Sequence, residues 1–99
     1  MEIFKTIDGY ENYKISNYGN VINDNTNKLL TPVINNKGYA YIQLSIPTRS
    51  RFYIHRLVAT YFCENENNYT IVDHIDRNVT NNCCDNLRWV NKSQNNRIS

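Results

Sequence analysis

The chain has 99 residues, 40% hydrophobic and 20% charged, enough for one domain with a modest core. A formal net charge of +2 names no partner by itself. No run approaches the roughly 18 apolar residues of a membrane span, and the N-terminus has no basic flank followed by an apolar stretch, so a cytoplasmic protein without a membrane partner is expected.

In chain order, the pattern predicts short strands over 13–15 and 21–22 around SNYGN, a turn where Asn and Gly make positive φ cheap. A further turn over 24–27 leads into KLLTPV, which reads as a third short strand, and 35–38 is another turn. YAYIQLSI, over 39–46, is the clearest strand: Ala40, Ile42, Leu44 and Ile46 share one face and Tyr39, Tyr41, Gln43 and Ser45 the other. PTRS turns it into a run over 51–54, which gives a twisted antiparallel hairpin. Leu57, Val58, Tyr61 and Phe62 then recur at helical spacing, so 55–62 is a short helix. Strands over 70–76 and Leu87–Val90 flank a long polar loop, and Asn91, with Gln94 three residues on, has the spacing of a capping box for a last helix.

Charge is unevenly placed. All nine acids fall in 1–24 or 64–99, while 25–63 carries Lys28, Lys37, Arg49, Arg51 and Arg56 and no acid. Such a segment suits a polyanion such as DNA, or is an ordinary solvated face. A two-stranded ribbon fits a major groove, so Tyr41, Gln43, Arg49 and Arg51 are candidates for bases or phosphates and Lys37 for the backbone. Arg88, Lys92 and Arg97 are candidates for phosphates near a cut. Asn, Ile and Tyr are frequent and have A/T-rich codons, which points to an AT-rich genome such as that of a phage or virus.

The stretch VDHID, from Val72 to Asp76, sets acids beside His74 between β-branched neighbours. Burying such charge without partners is expensive, so chemistry at the end of a strand is the natural reading. Asn86 lies twelve residues after His74, and Asn95 lies twenty-one after it, in the first turn of the last helix. If the two strands pair and the helix folds back, Asp73, His74, Asn86 and Asn95 can converge. Asp73 and His74 share a site only where their strand ends, bends or bulges, because neighbours on a regular strand face opposite ways. Mg²⁺, or Mn²⁺ in its place, takes one or two protein carboxylates and fills its shell with water and phosphate, which suits Asp73 and Asn95. His74 is suited to general base, with the Asn86 side-chain oxygen fixing its tautomer. Asp76 is read as the cap of the following turn, His55 as a hydrogen-bonded structural histidine and Trp89 as core. Cys63, Cys83 and Cys84 show no C-x-x-C spacing, so buried or half-exposed thiols are preferred to a zinc site.

HRLVATYF, VDHID, NVTNN, NLRWV and SQNN, in this order and spacing, resemble HNH homing endonucleases of the intron-encoded phage type. YENYKISNYGNV and LLTPVINNKGYAYIQLS resemble the small β-rich module that commonly precedes that core. The resemblance implies an α+β protein: an N-terminal antiparallel β-rich DNA-contacting module over 1–53 and a ββα-metal (HNH) core over 54–99, packed as one unit. It implies hydrolysis of double-stranded DNA, His74 as general base, Asn86 orienting it, and Asp73 and Asn95 holding the metal. Arg77 stands where the family usually has Gly in a tight turn, and Phe4 where the module usually opens with Trp; Arg77 is a candidate to reach a phosphate. The last helix is shorter than the family's, which keeps a catalytically inactive or truncated DNA-binding module as the alternative. No protein partner is evident.

Overall fold

The computed structural model describes residues 1–91. The expected last helix, with Lys92, Asn95 and Arg97, lies outside the described residues. Strands β1 (Phe4–Ile7), β2 (Tyr10–Ser16), β3 (Val21–Asn23) and β4 (Lys28–Leu29) form an antiparallel sheet in chain order. Alternation in β2 buries Tyr13 and Ile15, so one face closes on the core. The SNYGN turn between β2 and β3 is drawn in by Ser16, whose Oγ accepts from the Tyr18 and Asn20 amides at 3.1 and 3.0 Å. Gly19 is at φ +92° there, and a Cβ would come within 3.2 Å of Asn82 Cβ, so glycine serves both the turn and a close approach.

Strands β5 (Val33–Ile34), β6 (Ala40–Leu44) and β7 (Ser50–Tyr53) form a second antiparallel sheet. KLLTPV is therefore split: its two ends join different sheets rather than one strand. Pro32, between them, has no N–H to donate to a ladder. Strand β1 was not foreseen. The alternation of β6 is as expected through Leu44, but the strand ends there and Ile46 is 48% exposed.

Helix α1 (Ile54–Phe62) starts one residue before the expected helix and buries Ile54, Leu57 and Val58. Strands β8 (Ile71–His74) and β9 (Leu87–Val90) pair antiparallel, joined by a loop that ends in a 3₁₀ turn over Cys84–Asn86. Strand β8 is shorter than the expected 70–76 at both ends. One hydrophobic cluster joins all the parts, from Ile7, Ile15 and Val21 through Leu44 and Val58 to Leu87. Fully burying a side chain such as Ile15 or Leu44 contributes about 1.5–3 kcal/mol. Packing on this cluster fixes where α1, β6 and the β8–β9 hairpin stand relative to one another.

Candidate active site

The β8–β9 register sets Val72 against Trp89, Asp73 against Arg88 and His74 against Leu87. Partners in an antiparallel ladder share a face, and successive residues alternate. Val72, His74, Leu87 and Trp89 therefore look toward α1, where Trp89 Nε1 donates to the Ala59 carbonyl at 3.1 Å. Asp73 and Arg88 occupy the other face.

His74 is the last residue of β8 and only 5% exposed. Its Nε2 lies 2.8 Å from Asn82 Oδ1. An amide oxygen only accepts, so Nε2 carries the proton, and the neutral ring keeps its lone pair on Nδ1. Asn82 is held in turn: Gly19 packs on its Cβ, and Asn17 O accepts from the Cys84 amide at 2.8 Å nearby. The first sheet thus supports the loop that orients the histidine.

Asn86 does not bond His74 and so is not the residue that fixes its tautomer. Its Oδ1 accepts from the Asp76 amide at 3.0 Å, and its Nδ2 donates to Asp76 Oδ1 at 2.8 Å and to the Asn81 carbonyl at 2.9 Å. Buried and fully engaged, Asn86 ties the two ends of the loop together. Asp76 caps that turn as expected, accepting from the Asn78 amide at 2.8 Å. Bonds from Asn81, then the Asn78 amide and Asn86, hold its carboxyl below the usual range. The chain then turns at Arg77 with φ 64°. That is the left-handed conformation a glycine adopts freely, and arginine takes it at a cost of about 1–2 kcal/mol. Arg77 is exposed.

Asp73 is ion-paired. Arg88 Nε and Nη2 both reach its Oδ2, at 3.0 and 2.9 Å, and the Asp73 side chain is 11% exposed. Arg88, a phosphate candidate by sequence, therefore directs this edge of its guanidinium to a carboxylate. Behind His74 stand His55 and Tyr39, with ring centroids 5.2 and 6.2 Å from the His74 ring. His55 departs from its expectation: it is buried, but its Nδ1 has no hydrogen bond. Burial, then the neighbouring His74 and Arg56, push its pKa down to about 4.

The ribbon residues stand apart from this site but on one face. Tyr41 lies opposite Tyr53 and Gln43 opposite Arg51, and the Arg51 guanidinium sits 5.3 Å over the Tyr41 ring. Lys37, Gln43, Arg49 and Arg51 are exposed.

Two family models match the chain: a NUMOD4 motif over residues 2–45 and an HNH endonuclease over residues 52–97. The chain is a NUMOD4 motif joined to an HNH endonuclease domain. DNA endonuclease I-HmuI of Bacillus phage SP01 is 42% identical over 94 residues, which are 93% of this chain and 54% of that protein. H-N-H endonuclease F-TflII of Escherichia phage T5 is 37% identical over 95 residues, 93% of this chain and 49% of its own length. The uncharacterized HNH endonuclease L245 of Acanthamoeba polyphaga mimivirus is 40% identical over 90 residues, 90% of this chain and 27% of its own. The chain thus spans about half, or less, of the relatives it matches. The solved structure of the homing endonuclease I-HmuI, described as binding and cleaving DNA, superposes with a TM-score of 0.86 at 41% identity, covering 94% of this chain and 55% of that one. The α+β fold and the family expected from the motifs are those found.

HNH nucleases use divalent metal ions. Among the described residues, no group of three or more His, Cys, Asp and Glu side chains is placed to hold a metal. Cys63 is turned to the carbonyls of Leu87 and Cys84, at 3.6 and 3.7 Å, and burial raises its thiol to about 11, so it is a poor thiolate donor. The donors at hand fit a hard cation instead. Both Arg88 bonds fall on Asp73 Oδ2, which leaves Oδ1 for a cation that needs few protein ligands.

The contribution of Asn82 was missed by sequence reasoning. Asn78, Asn81, Asn82 and Asn86 all fall within one loop, and spacing from His74 does not separate them.

Proposed function

We propose that the HNH domain, with its NUMOD4 motif, is a metal-dependent endonuclease that hydrolyses phosphodiester bonds of double-stranded DNA, nicking at least one strand. The observation that carries this reading is the His74 imidazole at the end of β8, with Nε2 anchored on Asn82; Asp73, on the other face of the hairpin, would reach the same phosphate only around the strand end that His74 forms.

In this reading Nδ1 of neutral His74 takes a proton from a water molecule as its oxygen attacks phosphorus. The bond from phosphorus to the 3′ oxygen breaks, and that oxygen takes a proton from solvent. Asn82 holds the ring in the tautomer that presents a basic nitrogen. Asn86 acts one step further out, by keeping the loop closed over Asp76. Mg²⁺ or Mn²⁺, held by Asp73 and by Asn95, would stabilise the charge that develops on the phosphate and the leaving oxygen. The ribbon face with Tyr41, Gln43, Arg49 and Arg51 would lie in a groove of the duplex, with Lys37, Arg77, Lys92 and Arg97 on the backbone. The setting would be the cytoplasm of a bacterium or virus-infected host.

A second reading, a DNA-binding module without cleavage, is favoured by the Asp73–Arg88 pair, which neutralises the carboxylate and already occupies one of its two oxygens. Supercoiled plasmid incubated with and without Mg²⁺, beside His74→Ala, separates the two. Metal-dependent nicking that disappears in the variant supports the enzyme. A gel shift without nicking under any divalent ion supports the module.

A further inference from the structure

Two ion pairs stand among the described residues, and they differ in kind. In Lys14–Asp24 the side chains are 33% and 42% exposed, an ordinary surface contact. In Asp73–Arg88 the carboxylate is 11% exposed, and the β8–β9 register sets the two residues directly opposite each other. The contact is also lopsided. An arginine fork often meets a carboxylate with one N–H on each oxygen. Here Nε and Nη2, at 3.0 and 2.9 Å, both fall on Oδ2, and no hydrogen bond among the described residues falls on Oδ1. Among those residues only His55 Nδ1 is buried without a partner, so solvent reaches Oδ1.

How many oxygens a carboxylate offers decides which cation it suits. Ca²⁺ takes a loose shell of about 6–8 oxygens and accepts both oxygens of one carboxylate. Mg²⁺ demands a near-octahedral shell, dehydrates reluctantly and keeps several waters beside one or two carboxylates. With Oδ2 engaged by Arg88, Asp73 offers a cation one oxygen only. The guanidinium beside it also repels a second positive charge. Its planar fork, held opposite Asp73 by the ladder, is a geometry that a lysine ammonium would not reproduce.

We infer that Arg88 sets the metal selectivity of the site: by holding Oδ2 it makes Asp73 a one-oxygen ligand, which favours Mg²⁺ or Mn²⁺ and disfavours Ca²⁺. The inference rests on the proposed metal role of Asp73 and not on cleavage. Arg88 is thus a positioning residue that acts through the carboxylate, apart from the His74–Asn82 contact that directs the base.

Mn²⁺ binding to the full chain is followed by electron paramagnetic resonance, alone and with a short duplex, with Asp73→Asn as the baseline. Mg²⁺ and Ca²⁺ are then added as competitors. In the wild type Mg²⁺ should displace Mn²⁺ at a lower concentration than Ca²⁺ does. Arg88→Ala removes one positive charge and frees Oδ2. The lost charge should tighten every divalent ion about fivefold, the worth of one charge at about 4 Å in water. The freed oxygen should tighten Ca²⁺ by about tenfold more and Mg²⁺ little. Arg88→Gln keeps a long polar side chain on the strand; it should move the Ca²⁺-to-Mg²⁺ ratio the same way and serves where the alanine variant does not fold. If the ratio moves as expected but no divalent ion produces nicks, the cleavage reading falls and the selectivity stands. The inference alone is overturned, with cleavage untouched, by a folded Arg88 variant whose ratio is that of the wild type or which loses both ions together. It is also overturned by a wild type from which Ca²⁺ displaces Mn²⁺ as readily as Mg²⁺, or by Mn²⁺ binding that Asp73→Asn leaves unchanged with and without the duplex.

Discussion

The β6–β7 ribbon and the β8–β9 hairpin are both antiparallel pairs packed on one core, yet they treat their polar side chains oppositely. On the ribbon, Gln43, Arg49 and Arg51 are exposed, and the Arg51 guanidinium lies over the face of Tyr41. On the hairpin and its loop, every group of the proposed chemistry that is described is already held: His74 by Asn82, Asp73 by Arg88 and Asn86 by Asp76 and Asn81. A surface that meets a large, hydrated polyanion gains from cations free to shed counterions. A general base gains from a fixed tautomer and direction, because small errors of placement are costly in rate. The difference is one of function written into hydrogen bonding.

Four measurements test that contrast. The largest concerns His74. His74→Ala should lower the nicking rate about 10²–10⁴-fold while duplex affinity changes little, measured by plasmid nicking and by anisotropy. Equal losses in both would assign His74 to binding. Next is Gly19, the point where the first sheet braces the loop that holds His74. Gly19→Ala places a Cβ 3.2 Å from Asn82 Cβ at φ +92° and should cost about 1–3 kcal/mol in urea unfolding. An unchanged midpoint would remove the bracing role.

The third is pH dependence. The folded-state pKa of His55 is depressed, to about 4, by burial first. Between about 6.5 and about 4 the unfolded chain binds a proton that the folded chain refuses, so stability falls as pH is lowered through this window. Denaturation midpoints measured from pH 7 to pH 4 should fall for the wild type and fall less for His55→Phe. Parallel curves would contradict the buried neutral imidazole. The smallest effect belongs to the ribbon: Arg51→Gln should leave the unfolding midpoint unchanged and lower the salt slope of duplex binding by about 0.9. A loss of stability there would mean that the ribbon cation is structural.

Much of the fold was legible because the period-2 pattern of Ala40, Ile42 and Leu44 and the helical spacing of Leu57, Val58 and Tyr61 match the faces that pack. Strand β1 was not, because FKTI mixes exposed and buried positions without alternation, although a short turn through Asp8 and Gly9 joins it to β2 as a local hairpin. KLLTPV looked continuous because Leu29, Leu30 and Val33 are all apolar, although two of these, Leu29 and Val33, are exposed. At the site, residue types pointed to an acid, a histidine and amides, but pairing was hidden. Which of four loop asparagines meets His74 depends on how the loop closes, and the Asp73–Arg88 pair depends on the hairpin register, which the length of a polar loop does not reveal.

In the proposed cleavage Asn82, and not Asn86, directs the base. The most direct measurement is single-turnover nicking by Asn82→Ala and Asn86→Ala, each at a temperature where its circular dichroism shows a folded chain. Loss of a residue that orients a catalytic group costs about 10–100-fold. Asn82→Ala should lose that much rate with duplex affinity retained, while Asn86→Ala should lose thermal stability first and keep most of its rate when folded. A folded Asn82→Ala that nicks at the wild-type rate, beside an Asn86→Ala that is inactive at full stability, would contradict it.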